Sequence, residues 1–137
     1  MPTGKTNDAG WQIGVSTTFD HPLADVWNLI TDPEGVSIWL GNGVTIAGNK
    51  GETYETADGT VGEIRSFHAE ERIRLTWQPK DWDHNTIVQL VMRRVGDRTR
   101  LTLHQERLAD AVERDWQRGH WRSVASNLAN ELDARTG

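Results

Sequence analysis

The sequence predicts an α+β domain in which an antiparallel sheet bends around one long C-terminal helix. Three observations point there. A strand-like start leads into two short apolar helical stretches, and short β-rich runs alternating with turn dipeptides occupy residues 41 to about 108. The last stretch then carries an apolar pattern of helical period. A chain of 137 residues suits one such core, since two half-length domains would each bury too little surface.

Taken in order, residues 1–10 (MPTGKTNDAG) are polar and predict a flexible tail, with the single domain spanning 11–135. WQIGVSTTF alternates Trp11, Ile13, Val15, Thr17 and Phe19 against small or polar residues, the two-residue period of a half-buried strand. Leu23, Val26, Trp27 and Ile30 then recur at helical spacing, and Pro33 disfavours helical geometry at Asp32. A second short helix can restart at once, with Val36, Trp39 and Leu40 on one side. Six candidate strands follow: VTIAG (44–48), ETYET (52–56), TVGEIRSF (60–67), RIRLTW (72–77), TIVQLVMRR (86–94) and RTRLTLHQERL (98–108). Asp58-Gly59 and Gly96-Asp97 are turn signals, and short links throughout predict a six-stranded antiparallel meander. In the final helix, Val112, Trp116, His120, Val124, Leu128 and Leu132 recur every fourth residue, widened by Trp121, Ala125 and Ala129.

Composition removes several function classes. A net charge of −5 with scattered Lys and Arg disfavours a nucleic-acid partner. With no cysteine, there is no disulfide, thiolate metal site or Cys nucleophile. No stretch is long and apolar enough for a membrane span and no signal-peptide core precedes the first strand, so a cytoplasmic protein is the expectation. The five histidines lack ligand spacing within any one element, and no phosphate loop or nucleophile elbow is present. Asp81, Asp83 and His84 in KDWDHN could hold a cation, but a solvated loop explains them more simply; no metal or cofactor is expected.

A bent sheet closing on a single helix is hard to fill evenly, so an internal cavity is expected between them, closed at one end by the two short helices. Seven tryptophans, each with a large ring and one N–H donor, suit the wall of such a cavity as well as a core.

The same stretches carry a family likeness. VWNLITDPEGVSIWL (26–40) resembles the opening signature of the START-like, SRPBCC superfamily, in the branch similar to the C-terminal domain of the heat-shock-protein-90 ATPase activator. GETYETADGTVGEI, RIRLTWQP, GDRTRLTLHQERL and GHWRSVASNLANEL resemble that branch's later motifs, in the same order, so the likeness runs from about Trp11 to Leu132. It implies a helix-grip fold: a seven-stranded antiparallel sheet around the C-terminal helix, with an internal pocket. Two departures, Gly119-His120-Trp121 for the usual Gly-Trp and Gly51-Glu52-Thr53-Tyr54 for the usual turn, touch the pocket rather than the scaffold. Relatives of this fold bind lipids, act as cyclases or hydrolases, or assist chaperones.

The expected cavity lining is Trp39, Tyr54, Trp77, Leu90, Leu103, Gln105, Trp116, His120 and Trp121. His120 is its candidate polar group, although a rim histidine bonded to a backbone carbonyl would look the same in sequence. Three functions stay open. One is binding of a small apolar or amphipathic molecule. Another is an enzyme of cyclase or hydrolase type using His120, Tyr54 or Gln105 as proton shuttle or orienting group. The third is a chaperone-associated interaction module. Two copies could also pair through an edge strand or the Trp82 loop.

Overall fold

The structure is a computed structural model that describes residues 5–6 and 10–136, with side chains from 11 to 135. The elements are β1 (Lys5–Thr6), β2 (Gly10–Phe19), α1 (Leu23–Thr31), α2 (Pro33–Trp39), β3 (Thr53–Glu55), β4 (Val61–His68), β5 (Arg72–Trp77), β6 (Thr86–Val95), β7 (Arg98–Leu108) and α3 (Ala111–Thr136). They form an α+β helix-grip architecture with one seven-stranded sheet in the order β1-β2-β7-β6-β5-β4-β3. Strands β3 to β7 are a meander, and β2 closes the arrangement by pairing antiparallel with β7, Val15 opposite Leu103. Of the expected tail, Lys5–Thr6 pairs with Gly10 and Trp11, while residues 1–4 and 7–9 lie outside the described residues.

Five strands, not six, follow the short helices. The 44–48 run is not a strand, although Val44 is buried. The amides of Ala47, Gly48 and Asn49 instead donate to the Glu52 carboxylate at 2.9 to 3.1 Å. One carboxylate that satisfies three successive N–H groups removes the donors a ladder would need. Those bonds outweigh the cost of partial burial and hold the Glu52 carboxyl below the ordinary carboxylate range.

The two short helices interlock. Asp32 ends α1 and caps α2, its side chain accepting from the Gly35 amide at 2.8 Å, with Pro33 in the first turn. The Trp39 indole N–H donates to the Ile30 carbonyl at 2.8 Å, satisfying a C-terminal carbonyl that α1 could not bond internally. Arg135 at the end of α3 clasps the junction, reaching Asp32 at 2.7 Å, Glu131 at 3.1 Å and Glu34 at 3.4 Å. His21, buried before α1, bonds Asp133 at 2.7 Å. These links tie both short helices to the C-terminal end of α3.

The buried face of α3 is not the every-fourth-residue stripe. A step of four residues overshoots a turn by about 40°, so the drift from Val112 to Leu132 carries the stripe to roughly the opposite side of the helix. The buried series is Gln117, Trp121, Val124, Ala125, Leu128 and Leu132, whose mixed spacing of three and four stays on one face. Val112 and Trp116 consequently stand 64% and 75% exposed. Against the buried face, Leu75, Leu90, Leu101 and Leu103 are fully buried, so side chains fill the middle of the sheet–helix interface.

Candidate functional site

A cleft lies at one end of the sheet rather than at its centre. It opens among four segments with a volume of about 460 Å³, within the size range of small-molecule sites. Its walls are Ser37, Ile38, Trp39, Leu40, Gly41 and Asn42 from the end of α2, and Ala57, Asp58 and Thr60 from the β3–β4 turn. Trp77, at the end of β5, and His120 of α3 complete it. Of the two short helices, only α2 and its exit border the opening; α1 contributes no lining residue.

Local departures from regular pairing create the opening. At the start of β4, the Tyr54 hydroxyl donates to the Thr76 carbonyl at 2.6 Å, and the Glu63 amide donates to the Thr76 hydroxyl at 2.8 Å. Gly62 makes this possible, because a Cβ there would overlap the Thr76 carbonyl oxygen and come within 2.7 Å of the Tyr54 ring. Side-chain bonds therefore stand in for ladder bonds beside Trp77, and backbone pairing resumes at Val61 and Gln78, which exchange two bonds at 3.0 Å.

A buried polar chain then fixes the position of Trp77. Thr86 donates its hydroxyl to the Trp77 carbonyl at 2.7 Å and accepts from the Gln105 amide at 2.9 Å. The Gln105 carbonyl oxygen in turn accepts from the Trp121 indole N–H at 2.8 Å. β5, β6, β7 and α3 are laced together by three bonds among residues that are almost wholly buried. The Trp77 indole N–H is the exception: it is buried and has no hydrogen-bond partner among the described residues. An unsatisfied buried donor costs roughly 1–3 kcal/mol, so this one stands out beside a cleft.

Aromatic rings continue outward from Trp77. His120 stacks on it at 6.2 Å between ring centres, and Trp121 lies 6.3 Å away. Burial of its packed face pushes the His120 imidazole below its ordinary value, so it is neutral near pH 7. On another side, Trp82 meets Trp77 edge-on at 5.5 Å and stacks on His84 at 5.1 Å. His84 is held between Asp83 at 2.9 Å and Glu113 at 2.8 Å, which fastens the β5–β6 loop to the first turn of α3.

For His84, burial alone would lower the pKa, but the bonds and charges of Asp83 and Glu113 outweigh it and raise it above 6.5. A raised folded-state value stabilises the fold below about pH 6.5 and loses that contribution as pH climbs through the folded value. Its stabilising partner is chiefly Glu113, since Asp83 is fully exposed. His120, with its lowered value, works in the opposite direction: its contribution is full above about pH 6.5 and falls as pH drops below that. Urea unfolding of the wild type and His84→Gln is therefore expected to show a stability gap at about pH 5.5 that narrows by about pH 8.5. A gap constant with pH would refute the bridge.

Of the nine residues expected in the cavity, Trp39, Trp77 and His120 line this cleft. Tyr54, Gln105 and Trp121 sit just behind it with their polar ends engaged, and Leu90 and Leu103 belong to the filled core. Trp116 is on the outer surface of α3. The proton-shuttle role considered for Tyr54 finds its hydroxyl committed to Thr76, and burial raises its pKa far above the usual phenol value, keeping it protonated. Sequence reasoning did not include Asp58, Asn42 or Trp82. Asp58 reads as a turn residue, whereas an aromatic at 82 and a histidine at 84 directly after the Trp77 strand were a visible signal. No group of three metal-ligating side chains occurs among the described residues, KDWDHN included.

Residues 20–133 match the family model described as Activator of Hsp90 ATPase homolog 1-like protein. The chain belongs to that family. Solved structures show the family's fold in proteins of low identity. MLL2253 from Mesorhizobium loti is 18% identical with a TM-score of 0.76, over 92% of this chain and 98% of that one. PFC0360w, an HSP90 activator from Plasmodium falciparum, is 17% identical with a TM-score of 0.75, over 90% and 97%. DynU16, from the dynemicin biosynthetic locus, is 19% identical with a TM-score of 0.76, over 89% of this chain but only 47% of that one. No curated protein matches. Within the described residues of this family member, no helix is long and apolar enough to cross a membrane.

Proposed function

We propose that this member of the family binds a small, largely apolar molecule carrying at least one hydrogen-bond acceptor, in the cleft beside Trp77. The observation that supports the reading is Trp77, which lines an opening of about 460 Å³ and carries a buried indole N–H without a hydrogen-bond partner among the described residues. Trp39, Ile38 and Leu40 offer apolar surface, and an acceptor on the ligand would satisfy the buried Trp77 donor. The three-bond chain through Thr86 and Gln105 suits this role, because a preorganised wall loses less entropy on binding.

Calorimetric titration with 2-naphthalenemethanol, an aromatic alcohol of fitting size, tests the proposal. The wild type is expected to bind it, and Trp77→Phe, which keeps an aromatic ring but lacks the donor, to bind about tenfold more weakly. Equal affinity in both proteins, or no binding heat at all, would contradict it.

A further inference from the structure

We infer that the cleft selects amine-bearing, cationic aromatic molecules over neutral or anionic ones of the same shape. The inference rests on the cleft being a binding site and concerns which chemistry it accepts. Among the lining residues only Asp58 and His120 can carry charge, and no Lys or Arg is among them. Asp58 is an anion at neutral pH: hydrogen bonds from Thr56 and Thr60 outweigh its slight burial and hold the carboxyl below its ordinary value. The bonds from the Thr56 hydroxyl and the Thr60 amide both fall on Oδ1. No Lys or Arg forms an ion pair with Asp58 among the described residues; Lys80 packs its methylenes against Gly59 without pairing with it.

These groups match an ammonium and oppose a carboxylate. The neutral His120 ring and the Asp58 carboxylate can both accept from an amine. A carboxylate or phosphate would find no Lys or Arg in the lining and would face the negative charge of Asp58. Like-charge juxtaposition of that kind discriminates against a ligand more than it affects the binding of the correct one.

Three probes sharing one ring system separate the possibilities: 2-naphthylmethylamine, 2-naphthalenemethanol and 2-naphthoate, titrated at about neutral pH in low salt. The amine is expected to bind about tenfold tighter than the alcohol and about a hundredfold tighter than the carboxylate. Asp58→Asn, whose side-chain carbonyl can still accept from Thr56 and Thr60, should shrink the amine-to-carboxylate ratio to about threefold or less. The wild type supplies a second readout without any substitution. At about 1 M NaCl, where the screening length falls to about 3 Å, the same ratio should drop severalfold. If the alcohol binds but the carboxylate binds as tightly as the amine, the charge selection is overturned and the binding site stands. If none of the three binds, both fall. A ratio that persists unchanged in Asp58→Asn would also overturn the role given to Asp58.

Discussion

Gly35→Ala is expected to cost about 4 kcal/mol or to prevent folding altogether. Gly35 is buried in α2 where that helix crosses the end of α1. A Cβ at this position would overlap the Leu29 carbonyl oxygen and lie 2.5 Å from its carbonyl carbon. Both are backbone atoms, so no side-chain rotation relieves the overlap and the helices must separate. Separation would also break the Trp39 bond to Ile30, at the foot of the cleft. Overpacking costs about 1–3 kcal/mol where side chains can yield, and more is expected where they cannot. Thermal unfolding should show a midpoint lower by about 10 °C or more. Gly119→Ala is the matched comparison: it lies in α3 with nothing within 4 Å of an added Cβ. It should stabilise the protein by up to about 1 kcal/mol, from helix propensity alone. Similar effects at the two sites would show that the α1–α2 contact is not as close as described.

The second large effect is expected at Gln105, which has no solvent exposure. Gln105→Leu keeps similar bulk but removes the acceptor for Trp121 and the donor to Thr86. The Trp121 N–H then has no partner in the core, and Thr86 keeps only its bond to the Trp77 carbonyl. Stranding a buried donor costs about 1–3 kcal/mol, and with the lost Thr86 bond a loss of about 3 kcal/mol is expected in denaturant unfolding. Trp121→Phe in the same background should cost less than it does alone, because the stranded donor is removed with the indole. A coupling of about 1 kcal/mol or more is the expected signature, and strict additivity would argue against the chain.

The fold was legible because its signals are local and repeated. Alternation marks β2, β5 and β7, Pro33 separates two helical patterns, and Asp58-Gly59 and Gly96-Asp97 mark hairpins, while family motifs run through the same stretches in order. The 44–48 segment failed because its apolar alternation could not show that Glu52 would take its amides. Along α3, counting every fourth residue joined two faces of one helix, so Trp116 was placed inside although Gln117 is the buried neighbour.

The cleft was only partly legible, for a different reason. Trp39, Trp77 and His120 come from α2, β5 and α3, and their convergence depends on how three separate elements meet. The close approach of β3, β4 and β5 there is decided by Gly62, Tyr54 and Thr76, three residues whose joint geometry no periodicity encodes. Leu90 and Leu103 had the correct inward parity, but parity cannot tell a filled interior from a hollow one. Tyr54 and Gln105 were identified as polar groups turned inward, yet their partners come from other strands and consume the capacity that a ligand would have used.

The central claim is that the open donor of Trp77 is where a ligand is held. Nitrogen-15 NMR of the seven tryptophan indoles, with the Trp77 signal assigned through Trp77→Phe, tests it during titration with 2-naphthalenemethanol. The Trp77 N–H should move downfield to the position of a hydrogen-bonded indole, while those of Trp39 and Trp121, already bonded within the protein, stay within a small fraction of that shift. Movement confined to the exposed Trp116, with Trp77 unchanged at saturation, would contradict the account.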